Sequence, residues 1–517
     1  MNAKLTILIF TFFVATALFQ CASVTKNYPE TSQTMKAENP KPSFQVVTLP
    51  VSDDPTISFR VLFTVGSQND PKGKEGLAAL TAALLANGST RQHSYEALLD
   101  LFYPMAAGIS YQVDKEMTVI SGRVHKDNLA DYYTLFKEVI FEPAFNEQDF
   151  QRVKSEMLNY VQNILRFAND EELGKEVLYE YIFEGTPYGH LEEGHISSLQ
   201  NITLEDVKQF YRQHYTQANL ILGLGGGYDA SFKNTYVADF TRLPKGTPSR
   251  VTNITPPPFE GMHVRIISKK ANATAISFGY PIHITRANPD FYALSIARSW
   301  LGEHRNSSSH LYQVIREKRG LNYGDYAYIE HFPNGGRRRF PPPNVARHHQ
   351  IFQIWIRPVP NYARVFAYRA ALRELQKMVD NGLTQEEFDL TRRFLKNYSL
   401  HYAPTTMMKL GYAMDDAFYG IQGNFLKIFR QKMDELTLAE VNAAIKKYLQ
   451  YQNIKAVFVT NEPEKLKQVL VNNEPSPIQY PTPKPAEILE EDKEIATYPL
   501  HVKPEHVEII PIEKVFQ

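Results

Sequence analysis

The sequence predicts an α+β protein made of two related domains, and three observations carry that prediction. Residues 56–65 alternate apolar and polar positions as a strand does, and a polar turn at 66–74 follows. Leu77, Leu80, Leu84 and Leu85 then share one face of a helix that Gly88 closes. The order of elements also repeats. Ile202-Thr-Leu-Glu-Asp-Val207 with Asn219 is echoed by Leu436-Thr-Leu-Ala-Glu-Val441 with Asn453, an offset of 437 − 203 = 234 residues. Phe150 with Asn159-Tyr160 is echoed by Phe388 with Asn397-Tyr398, at 388 − 150 = 238. Similar offsets in two separate helices indicate duplication of a whole domain, since the unit is too long for a solenoid repeat.

Taken in order, the chain begins with Lys4 and an apolar run at 5–19, too short to span a bilayer and read as a signal peptide over 1–20. Cys21, the single cysteine, follows directly and resembles the lipid-attachment residue of a bacterial lipoprotein. Leu18 suits the position three before it, whereas Phe19 and Gln20 depart from the small residues preferred next. The alternative is an unlipidated exported protein cut near Ser23. The expectation is export to the periplasm, with a lipid anchor on a membrane as the sharper option. A lone cysteine leaves no partner for an intramolecular disulfide, so core packing must hold the fold. Residues 21–42 are polar and read as a tether.

A first domain is expected over 43–245, a linker with Thr255-Pro-Pro-Pro-Phe259 over 246–260, a second domain over 261–472 and a tail over 473–517. Within the first domain, helices are expected near 95–103, 127–140, 147–167 and 170–183, with a strand pair near 108–124. Thr203-Leu-Glu-Asp is a capping box before another helix. The tail carries apolar pieces such as Val507 and Ile512, so it is expected to pack across the body. Residues 333–349 form a basic, proline-rich loop between two strands, and its Arg337-Arg-Arg339 run reads as solvated. With 56 Lys plus Arg against 56 Asp plus Glu, no global positive field draws nucleic acid.

Several motifs carry less than they promise. His190-Leu-Glu-Glu-Gly-His195 spaces its histidines five apart across Gly194, so they share no helical face for zinc. His304, His310, His348 and His349 read as ordinary polar residues. Gly223-Leu-Gly-Gly-Gly227 ends a strand with no helix opening behind it, so it is no nucleotide cradle.

The strand, the turn, Gly76-Leu-Ala, the helix and Gly88-Ser-Thr together resemble the zinc-site helix of the insulinase/pitrilysin metallopeptidases, the inverzincins, whose signature is H-x-x-E-H. On that resemblance the histidines fall on Ala79 and Ala83 and the glutamate on Ala82. The third metal ligand falls on Tyr160, along the helix led by Phe145-Asn-Glu-Gln-Asp-Phe150. Gly185-Thr-Pro-Tyr-Gly-His190 resembles the loop after the following helix. Leu311-Tyr-Gln-Val-Ile-Arg-Glu-Lys-Arg-Gly-Leu-Asn-Tyr323 resembles the segment holding the Arg/Tyr pair, carried over as Arg316 and Tyr323. The likeness runs from roughly residue 43 to 470 and includes processing-peptidase-like features in the first half.

The resemblance implies two layered domains, each a mixed sheet with helices packed on one face, enclosing a cavity for extended peptide. Methyl groups neither ligate zinc nor accept a proton from bound water. In paired members one subunit keeps zinc and the other keeps the Arg/Tyr segment. The implied function is therefore a catalytically silent subunit of an exported heterodimeric zinc metalloendopeptidase, with no cofactor of its own. Zinc would sit in a homologous partner with an intact H-x-x-E-H. Arg316 would supply a permanent charge, and Tyr323 a phenolic donor, to a substrate carbonyl or its oxyanion. Residue types alone leave open an Arg316 paired with a carboxylate and a Tyr323 in the core. The rival function is a non-proteolytic scaffold or chaperone that keeps the peptidase frame and binds peptide.

Overall fold

Two mixed β-sheets organise the chain in the computed structural model, which describes residues 43–249 and 254–517. The signal peptide, the tether and Cys21 lie outside the described residues. The first sheet contains β1 (Gln45–Pro50), β2 (Thr56–Phe63), β3 (Ile109–Val113), β4 (Thr118–His125) and β5 (Leu220–Gly226), in the order β1-β5-β2-β4-β3. The second contains β6 (Met262–Ser268), β7 (Ala273–Ile282), β8 (Asp325–Tyr328), β9 (Gln350–Pro360), β10 (Ile454–Thr460) and β11 (Val502–Pro511), in the order β11-β6-β10-β7-β9-β8. Strand for strand the first sheet maps onto the last five of the second. β1 and β5 pair parallel, as do β6 and β10, and the strands that follow pair antiparallel in both.

The duplication read from sequence is thus the architecture. β5 and β10 begin 454 − 220 = 234 residues apart, and the capped helices Leu204–His214 and Leu438–Tyr448 begin 438 − 204 = 234 apart. In each capping box a threonine hydroxyl, Thr203 or Thr437, accepts from the N–H three residues on and a carboxylate reaches back.

Alternation in β2 sends Ile57, Phe59, Val61 and Phe63 into the core of the first half. Leu62 points to the opposite face, where it meets Leu410 and Met414 of the helix Thr406–Tyr419, which belongs to the second half. That helix lies so close to β5 that a Cβ on Gly223 would come 2.5 Å from the Met414 sulfur. The glycines of Gly223-Leu-Gly therefore make room for a helix. The exchange is mutual. Helix Asp170–Ile182 of the first half packs on β7 and β10 of the second sheet, and the two exchanged helices begin 406 − 170 = 236 residues apart. Each sheet thus carries helices of its own half on one face and a lent helix on the other.

The tail does pack across the body. β11 adds to the second sheet beside β6, after which Ile512, Val515 and Phe516 enter the core of the first half. There the Ile196 N–H donates to the Phe516 carbonyl at 2.9 Å, and Arg166 Nε donates to that of Val515 at 2.7 Å.

Candidate functional site

The helix Leu77–Ala86 is buried from end to end and packs on β3 and on the helices Glu147–Asn159 and Leu204–His214. Its start is fixed by Asp70 in the preceding turn. That buried carboxylate accepts from the N–H groups of Gly76 and Ala78, each at 2.7 Å, and faces His190 Nε2 at 3.3 Å. Gly76 and Gly194 both have positive φ and touch; a Cβ on Gly76 would come 2.3 Å from the Glu193 carbonyl oxygen. This close approach sets the Glu192-Glu193 pair beside the helix start. Ala79, Ala82 and Ala83 present only methyl groups, exposed by 5% or less.

The helix Glu147–Asn159 runs on as π-helical turns through Tyr160–Ala168, so Tyr160 sits at the change of winding. Tyr160 lines a cavity of about 410 Å³ between the halves. Tyr111, Gln112 and Val113 of β3 form one wall, and Pro333, Asn334, Arg338 and Val345 form part of the other. Asp114, Glu172, Glu176, Glu192 and Glu193 make it strongly acidic. Burial alone would lift the Glu192 carboxyl, but Lys115 at 3.0 Å and Arg347 at 2.8 Å outweigh it and hold it at about 2. Glu176 is pushed well above the usual range by burial and by the charges of Glu192 and Glu172. Burial and Glu192 push Glu193 up to about 7. His331 is 6% exposed, and burial with the nearby Arg347 and Lys175 keeps its imidazole neutral.

The shift at Glu193 has a definite sign. Its folded value near 7 lies above its ordinary 4.5, so over that window the folded state holds a proton that the unfolded chain has released. Stability is lost as pH rises through the window. Glu193→Gln is therefore expected to stabilise the chain at pH 8 by on the order of 2 kcal/mol and to change little at pH 4. Urea denaturation of both proteins at the two pH values measures it; equal midpoint differences at both would exclude the coupling.

Arg316 lies in a second stretch of π-helical turns, Tyr312–Glu317, with its guanidinium carbon 5.6 Å from the centre of the Tyr323 ring. Tyr323 is 77% exposed, not a core aromatic. The structure brings these two residues to each other, and neither lines the acidic cavity. Arg337 and Arg339 are exposed, whereas Asn344, Val345, Ala346 and Arg347 further along the same loop are buried. One expectation needs correction: His304 is no ordinary polar residue, since it is buried against Tyr326 and Phe332, with Nδ1 2.7 Å from the Tyr328 hydroxyl.

His190 faces Asp70 and His195 faces Glu180, on separate carboxylates. Among the described residues, no group of three His, Cys, Asp or Glu side chains is placed to hold a metal ion. Three methyl groups and a phenol at the four positions implied by the resemblance do not fit zinc. The carboxylate cluster escaped the sequence reading because its members lie far apart in the chain; the nearest signals were the Asp170-Glu-Glu run and Glu192-Glu193.

The sequence profile described as insulinase (peptidase family M16) matches residues 45–190, and that described as peptidase M16 inactive domain matches 201–395. Between them they cover more than half of the chain. The chain belongs to the insulinase family. It is 22% identical over 414 residues to the non-peptidase homolog YmxG of Helicobacter pylori, covering 78% of this insulinase-like chain and 89% of that protein. The crystal structure of a peptidase M16 inactive domain from Pseudomonas fluorescens superposes with a TM-score of 0.71 at 24% identity, covering 81% of this chain and 96% of that one. A chain of complex III2 from Candida albicans superposes at 0.65 with 16% identity, covering 80% and 93%. This is a peptidase-like family member of the inactive kind.

Proposed function

We propose that this chain is the non-catalytic subunit of an exported heterodimeric zinc metalloendopeptidase and that it binds extended peptide beside β3. The observation that carries the reading is a cavity kept without its chemistry: about 410 Å³ remains next to Tyr160, yet no family metal position offers a ligand. β3 ends its sheet, so one side of its backbone carries no strand partner and is of the kind that takes an added strand. Water activation then belongs to a homologous partner with an intact H-x-x-E-H, while this chain supplies a peptide-binding surface and the Arg316/Tyr323 pair.

Purification of the full chain from its native host tests the reading. A homologous subunit with H-x-x-E-H is expected to come down with it in equal amount, with zinc following the partner and none held by the isolated chain. One tightly bound zinc in the isolated chain would overturn the assignment. Absence of any metal-bearing homologue would favour the scaffold reading.

A further inference from the structure

The loop at 333–349 ties the two halves together. Its inner end is anchored by Arg347, 1% exposed, which donates from Nε and Nη2 to Asp114 and from Nη2 to Glu192 at 2.8 Å. All three residues are buried, and both carboxylates belong to the first half. Three positions earlier, Asn344 joins both halves at once. Its N–H and side-chain amide donate to Asp415 of the second half at 3.0 Å, while its carbonyl accepts from the side chain of Gln112 in β3. The loop backbone therefore passes within reach of a β3 side chain, and β3 is one of the two strands that end the first sheet.

We propose that residues 331–349 are an internal brace across the cleft: with Arg347 latched on Asp114 and Glu192, the loop holds the halves together and stands beside β3 where an added strand would pair. A buried guanidinium shared by two buried carboxylates is a strong, specific latch, and leaving it exposes uncompensated charge. The brace sets how far the cleft opens, and an occupant along the full edge of β3 must displace it. That the displaced loop gives way to peptide rests on the function proposed above; the brace itself does not.

Hydrogen exchange on the full chain tests it. In Arg347→Ala, exchange within 109–114 and within 340–349 is expected to rise together by about tenfold or more, while β2 and β5 stay protected. A rise in 340–349 with no change in 109–114 would overturn the proposal, because the loop would then shield nothing. So would unchanged exchange in both segments. If the alanine variant exchanges throughout, Arg347→Lys decides. Lysine keeps the charge but cannot span both carboxylates in one plane, so a smaller rise confined to the same two segments is expected, and wild-type exchange would refute the latch. A fluorescent extended peptide added to both proteins separates the two readings. Tighter binding to the opened variant supports both. Co-ordinated opening without peptide binding to either protein leaves the brace standing and removes the peptide role.

Discussion

Complexes reconstituted with Arg316→Ala in this chain are expected to turn over saturating peptide about 10²–10³ more slowly than wild type. The magnitude is that of losing one donor to a developing oxyanion in a water-poor site. The geometry suits a residue held for use outside its own fold. Arg316 makes no ion pair among the described residues; its guanidinium lies over the Tyr323 ring, and its Nε is buried without a partner. Tyr323 projects into solvent with 77% of its surface free, so Tyr323→Phe should leave thermal stability unchanged while lowering turnover. Arg316→Lys keeps the charge, loses the planar fork and should restore part of the rate. Complex formation is measured separately from turnover at saturating peptide. Wild-type turnover from both Arg316→Ala and Tyr323→Phe complexes would show that these positions carry no catalytic support.

The largest loss of stability is expected from Arg286→Ala, at about 3–5 kcal/mol in denaturant unfolding. Arg286 is 3% exposed and is held by Glu330 at 2.9 Å and by Asp415 at 3.2 Å, with its guanidinium over Tyr412 and Phe425. Burial already lifts Asp415 to about 6 despite the opposing charge of Arg286. Removing the arginine leaves that carboxylate buried with less compensation, beneath the Asn344 amide that it anchors. The loss should shrink at pH 5, where Asp415 takes up a proton instead of remaining charged. A loss under about 1 kcal/mol at pH 8 would mean that Glu330 and Asp415 do not depend on Arg286.

What the sequence determined by itself is what local pattern encodes. Alternation over 56–65, the leucine face after Gly76 and two threonine capping boxes each require only neighbours within a few residues. The offsets near 234 predict two related domains with a repeated order of elements. The resemblance to the insulinase zinc-site helix, which rests on local residues too, implies the metal positions at Ala79, Ala82, Ala83 and Tyr160.

Tertiary structure decided the rest, and the reason is distance along the chain. Gly223 reads locally as a weak strand position; it is required because Met414, from the other half, lies against it. Residues 333–349 read locally as a basic, proline-rich loop with a solvated Arg337-Arg-Arg339 run, and nothing in that pattern marks Arg347 for burial. Arg347 is buried because folding brings it to Asp114, 233 residues away, and to Glu192, 155 away. Five carboxylates from three separate stretches likewise line one cavity, whose other wall is drawn from Pro333, Asn334, Arg338 and Val345 of the second half. Local propensity fixes which segments are helices and strands, whereas the protonation and burial of a charged group are set by partners that only the folded chain brings within a few ångströms.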